Sequence, residues 1–141
     1  MKKLAFMLAA LVMHNAHAIA EEDTRKIIQL SPSYRAIVLT EMRQFLAGLQ
    51  QISQALSNDD METVTRVARS LGTTMSQHMP AGLKQALPQD FRKLGHSVHS
   101  SFDQIALDAE SLGDGSHTLS QLAQTISGCV SCHSMYQIRV E

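Results

Sequence analysis

Apolar residues recur between residues 38 and 56 at a spacing that suits a helix and little else. Val38, Met42, Phe45, Leu49, Ile52 and Leu56 advance by 4, 3, 4, 3 and 4 residues. Such steps line one side of an α-helix, whereas on a strand they would scatter over both faces. The spacing predicts a helix from about Pro32 to Ser57, and Pro32 suits its first turn, where the missing N–H costs no hydrogen bond.

Three more stripes follow. After the short connection Ser57-Asn58-Asp59, Asp59 with Glu62 three residues on reads as a capping box. The second helix carries Met61, Val64, Ala68, Leu71, Met75 and Met79, with Gly72 weakening it by about 1 kcal/mol relative to alanine. Pro80 to Pro88 forms the longest connection. A third helix is expected from about Pro88 to Leu112, with Phe91, Leu94, Val98, Phe102, Ile105, Ala109 and Leu112 on one side. Gly113-Asp114-Gly115 ends it, since glycine accepts the left-handed geometry of a helix stop. The fourth helix is expected to open at Thr118, with Gln121 completing a second capping box. Its stripe runs Leu119, Leu122, Ile126, Cys129 or Val130, His133 and Tyr136. Residues 20–31 read as a polar lead-in, and no alternating strand pattern of useful length is found. The expectation is an all-α chain: an antiparallel, up-down-up-down four-helix bundle.

Met1 to Ala18 has the three parts of a secretory signal: Lys2-Lys3, an apolar run from Leu4 to Met13, and Ala16-His17-Ala18. Its apolar run falls well short of the roughly 20 residues that span a bilayer. Cleavage after residue 18 or 20 is expected, leaving residues 19–141 as one domain in the periplasm, soluble and without a membrane span. Loss of Lys2 and Lys3 takes 12 basic residues to 10 against 13 acidic ones, so the formal charge falls from −1 to −3. A chain with no basic face is a poor partner for nucleic acid.

Cys129-Val130-Ser131-Cys132-His133 carries the chemistry. In C-x-x-C-H both thiols can add to haem vinyl groups while the adjacent imidazole binds iron. Residues three apart share a helix face, so Cys129 and Cys132 reach one porphyrin edge and His133 supplies the proximal ligand. A thioredoxin-like pair would instead open a helix after a strand. A zinc site needs about four ligands, and a single cysteine pair would have to recruit His78, His96, His99 or His117. One covalent haem c is the expected cofactor, and a non-haem metal-binding helical module is the lesser alternative. No paired-carboxylate or Ser-His-Asp arrangement indicates catalysis, so the chain is not expected to be an enzyme.

C-x-x-C-H in a final helix, followed three residues later by the aromatic Tyr136, resembles the class II cytochromes c, that is, cytochrome c′ and its low-spin relatives. Tyr34-Arg35 followed by Leu39 is similar to the family's Arg-x-x-x-(Leu, Met or Tyr) element. The resemblance implies that Leu39 faces the distal side of the iron, that Arg35 approaches a haem propionate, and that the chain dimerises through its first two helices. Family members often carry a basic residue directly after the aromatic; here Gln137 stands there and Arg139 two positions on.

The sixth iron position separates two functions. A protein ligand there makes an electron-transfer cytochrome with a redox partner protein, whereas an apolar side chain leaves five-coordinate iron open to a small gas such as NO or CO. Met42 is the expected distal ligand on the apolar stripe, with core packing as its competing role. His99, bordering the stripe between Val98 and Phe102, is a second candidate, with its ring expected half in water. His78, His96 and His117 read as solvated, and Met75, Met79 and Met135 as packing residues. Glu41, Arg43 and Arg35 are expected along an exposed flank as surface ion pairs.

Overall fold

The computed structural model describes residues 22–141; the expected signal segment lies outside the described residues. The chain is mostly helical. In order it forms β1 (Lys26–Leu30), α1 (Pro32–Leu56), α2 (Met61–Leu71), α3 (Thr73–Gln77), α4 (Ala81–Ala86), α5 (Gln89–Leu112), α6 (Gly115–Met135) and β2 (Tyr136–Val140). Among the described residues no helix is long and apolar enough to cross a membrane.

α1 begins as its sequence predicts, with Pro32 in the first turn and the Ser31 hydroxyl accepting from the Tyr34 N–H at 3.3 Å. The expected capping box at Asp59 is displaced by one residue. Asp59 takes a left-handed turn conformation, φ 55°, and Asp60 becomes the cap, accepting from the Thr63 N–H at 2.9 Å.

The second helix does not run on to Met79. It stops at Leu71, Gly72 is extended, and the chain restarts as α3. Asp103 on α5 explains the break: its carboxylate accepts from the Thr73 N–H at 3.0 Å and the Thr73 hydroxyl at 2.7 Å, capping the new helix from across the interface. A Cβ on Gly72 would collide with that carboxylate. The long connection also contains a helix, α4, anchored by the fully buried Leu83.

α5 agrees with expectation in its bounds and ends at Gly113 in the left-handed region, φ 61°, but Leu112, expected on the inner stripe, is 62% exposed. α6 then opens at Gly115, three residues before Thr118, because Asp114 is the cap. Its carboxylate accepts from the Ser116 and His117 N–H groups at 2.9 and 3.0 Å, and the buried Thr118 hydroxyl donates to the Asp114 carbonyl.

The reading of residues 20–31 as a lead-in is also corrected. β1 and β2 pair in parallel, with Lys26 beside Tyr136 and Leu30 beside Val140. Ile28 and Leu30 are buried while Ile27 and Gln29 are exposed, a period-2 pattern too short to stand out alone. The pairing ties the start of α1 to the end of α6.

Two apolar clusters organise the interior. The larger joins Phe45, Ile52 and Ala55 of α1, Val64, Val67, Ala68 and Leu71 of α2, Phe102, Ile105, Ala106 and Ala109 of α5, and Leu122 of α6. Phe45 stacks on Phe102 with ring centroids 5.5 Å apart, and truncating the fully buried Phe102 would cost about 3–5 kcal/mol. The smaller cluster, Ile28, Leu30, Val38, Leu83, Leu87 and Tyr136, lies beneath the strands. α2 packs on both α1 and α5, and α6 packs on α5, but α1 and α6 share no comparable seam.

Candidate functional site

The C-x-x-C-H residues occupy the last two turns of α6. The inner face of that helix is rotated from the expected stripe: Thr118, Leu122 and Thr125 are buried, while Leu119, Ile126 and Val130 are exposed, Val130 by 63%. Cys129 and Cys132 continue the buried line and are half-buried free thiols. The Cys129 thiol donates to the Thr125 carbonyl at 3.5 Å. Burial pushes both thiols above their ordinary pKa, and the neighbouring Cys129 adds to the effect at Cys132.

His133 stands on another flank of the helix and is exposed. Two glycines fix the direction of that flank. A Cβ on Gly128 would meet Val98 of α5 at 3.4 Å, and one on Gly115 would meet Leu56 of α1 at 3.9 Å. Gly115 and His133 are eighteen residues apart, about five full helical turns, so both lie on one side of α6. Leu119, Ile126 and Val130 occupy the same flank.

α1 presents a matching flank. Gly48 fits closely against Leu71 of α2, Val38, Phe45 and Ile52 face the core, and on the far side of that line stand Leu39, Met42, Leu46 and Leu49. Leu46 is 69% exposed, although its neighbours on this flank are half-buried. Val38, eighteen residues back from Leu56, and the adjacent Leu39 lie about five turns from that end of α1, and Met42 about one turn nearer to it. Met42 touches both apolar clusters, and Cys132 packs against the smaller one. Arg35 is half-buried on this flank, one turn from Leu39.

Tyr136 is buried where β2 begins. Its ring meets Phe91 edge-on at 5.4 Å and lies under the Lys26 ammonium at 5.9 Å. Arg25, which the sequence reading passed over, donates from Nη1 to the His133 carbonyl at 3.2 Å. That carbonyl is among the last of α6 and has no partner within the helix. Asp23 holds the guanidinium through contacts of 2.8 and 2.6 Å, and this hydrogen bonding lowers the Asp23 pKa to about 2. Gln137 donates to the Arg25 carbonyl at 3.2 Å. No local pattern announces Arg25, because its partner is 108 residues away.

His99 is neither half in water nor free to ligate. It is 3% exposed, with Nδ1 2.7 Å from the Leu71 carbonyl and Nε2 3.2 Å from the Glu41 carboxylate. Only the protonated ring can donate to both acceptors. Glu41 therefore turns inward instead of lying on an exposed flank, and Arg43 bonds to Thr40. His117 pairs with Asp108, while His78 and His96 are exposed.

Among the described residues no group of three or more His, Cys, Asp or Glu side chains is placed to hold a metal ion. The donor set at 129–133 nevertheless suits a haem. Two unpaired thiols sit one turn apart, an exposed imidazole follows, and the adjoining flank of α6 is apolar and exposed. Comparison of the chain with models of protein families, with curated proteins and with solved structures finds no match.

Proposed function

We propose that the chain is a periplasmic c-type cytochrome that transfers electrons through one covalent haem, held between the α1 and α6 flanks of an antiparallel four-helix bundle. The observation that carries this reading is the coincidence of C-x-x-C-H with an exposed apolar flank, Leu119, Ile126 and Val130, on the same helix. Ile126 and Val130, with the exposed Leu46 and the half-buried Leu39 and Met42 of α1, would be covered by a porphyrin, and grouped exposed apolar side chains are the mark of a binding site. Cys129 and Cys132 would hold the haem by each adding S–H across a vinyl group, forming a C–S and a C–H bond with no atom lost. His133 and Met42 would ligate its iron, and Arg35 would offer a charge to a propionate. Tyr136 and Phe91 close the apolar floor beside Cys132. The bound haem would supply a one-electron couple, its potential set by axial ligands and burial.

Haem staining after denaturing electrophoresis, with intact mass, tests the proposal. The natively matured chain should retain one haem, and Cys129→Ser with Cys132→Ser should remove it; an unstained wild-type chain refutes it. Met42→Ala should abolish a low-spin optical spectrum. A second reading rests on Leu39, half-buried on the same α1 flank as Met42: with Leu39 over the iron, the protein would be a five-coordinate binder of NO or CO. A high-spin spectrum that changes readily with CO selects this reading over electron transfer.

A further inference from the structure

A cavity of about 350 Å³ opens between α1 and α3, lined by Ile37, Thr40 and Glu41 on one wall and Met75, His78 and Met79 on the other. It lies on the α2 side of α1, away from the flank that carries Met42 and Leu46. We propose that Met75, His78 and Met79 bind a soft monovalent metal ion, Cu(I) or its redox-inert counterpart Ag(I).

The donor types decide the ion class. Two thioethers and one imidazole form a neutral, soft set that favours Cu(I), whereas Ca(II) or Mg(II) needs carboxylate and carbonyl oxygens. Met75 lies in the last turn of α3, His78 caps it and Met79 follows directly, and all three border the same cavity. The stems are anchored: Met75 packs against the larger cluster and Met79 against the smaller one. His78 ends α3 as its cap and is exposed, so its ring can rotate to meet an incoming ion. The Glu41 carboxylate, shared with His99, stands on the opposite wall. Packing alone would be served as well by leucine, which lacks the sulfur; the substitution therefore isolates the chemistry.

The test is titration of Ag(I) into the Cys129→Ser, Cys132→Ser protein, where no thiol competes, and in parallel into the wild-type chain. The ε-methyl resonances of the methionines are followed by ¹³C NMR. One equivalent should shift Met75 and Met79 and leave Met61 unmoved. Competition with a colorimetric Cu(I) chelator under ascorbate then measures affinity. Met75→Leu with Met79→Leu should weaken binding by about 100-fold or more, since loss of a direct donor exceeds the roughly 10–100-fold cost of losing an outer-shell partner. His78→Asn should weaken it less. Circular dichroism confirms that each variant is folded. Stationary Met75 and Met79 resonances at one equivalent in both proteins, or undiminished affinity in the double leucine variant, overturn the proposal. The outcome does not depend on whether the chain carries haem.

Discussion

Removing the His99–Glu41 pair should convert the buried polar node into a measurable, pH-dependent loss of stability. The perturbations are His99→Gln and Glu41→Gln, singly and together. The ring spans three helices: it grows from α5, donates to the end of α2 at Leu71 and meets Glu41 of α1. Burial, the largest single influence, pulls the His99 pKa down, but the hydrogen bonds to Glu41 and Leu71 outweigh it and leave the pKa above 6.5. The sign follows from the raised value. The charged ring contributes its full stability below the unfolded-state pKa of 6.5, and that contribution fades as pH rises through the higher folded-state pKa.

A hydrogen bond to a charged group is worth about 1.5–3 kcal/mol, and stripping one partner from a fully buried pair costs roughly 3–5 kcal/mol. The Glu41 side chain retains 15% of its exposure, so the lower range applies. His99→Gln should cost about 2–3 kcal/mol at pH 6, with a His99–Glu41 coupling energy of about 1–3 kcal/mol in the double-mutant cycle. Urea unfolding followed by circular dichroism at pH 6 and pH 9 gives both quantities. A wild-type advantage over His99→Gln that is constant or larger at pH 9, or a coupling energy near zero at pH 6, would refute a charged ring.

Three further outcomes are expected. Arg25→Ala removes the donor to the His133 carbonyl and loosens the paired strands, so amides of Gln137 to Val140 should exchange faster while those of α2 stay unchanged; equal exchange at both would deny Arg25 a clasping role. Gly48→Ala sets a helix-propensity gain of about 1 kcal/mol against an overpacking cost of about 1–3 kcal/mol at Leu71, so the thermal midpoint should fall, and a rise would show that Leu71 yields freely. Asp114→Ala deletes the cap of α6 and should cost about 1 kcal/mol in urea unfolding, whereas the neighbouring Ser116→Ala should cost far less.

Much of the helical framework was legible because helices are built from contacts three and four residues apart. The 4-3 steps from Val38 to Leu56 mark α1 correctly, and Gly113 marks the end of α5. The first capping box was misplaced for a local reason as well: two candidate aspartates adjoin at 59 and 60, and which one takes the left-handed turn depends on how the loop closes. The expected stripe on α6 was off by part of a turn, since Thr118 and Thr125 face inward while Leu119 and Ile126 do not. Polarity suggested the opposite, and the threonine hydroxyls escape its logic by bonding to carbonyls of their own helix.

The chain's own order determines the helices, the C-x-x-C-H donors and their placement one turn apart, because each depends on neighbours within a turn. Tertiary structure alone decides what lies far apart in the chain. It pairs β1 with β2, breaks the second helix at Gly72 through Asp103, and turns His99 from a ligand candidate into a buried hydrogen-bonding node shared by three helices. It also leaves the α1 and α6 flanks without a common seam. These outcomes depend on which surfaces meet, and that is set by the balance of burial and hydrogen bonding over the whole fold, which no short window of residues contains.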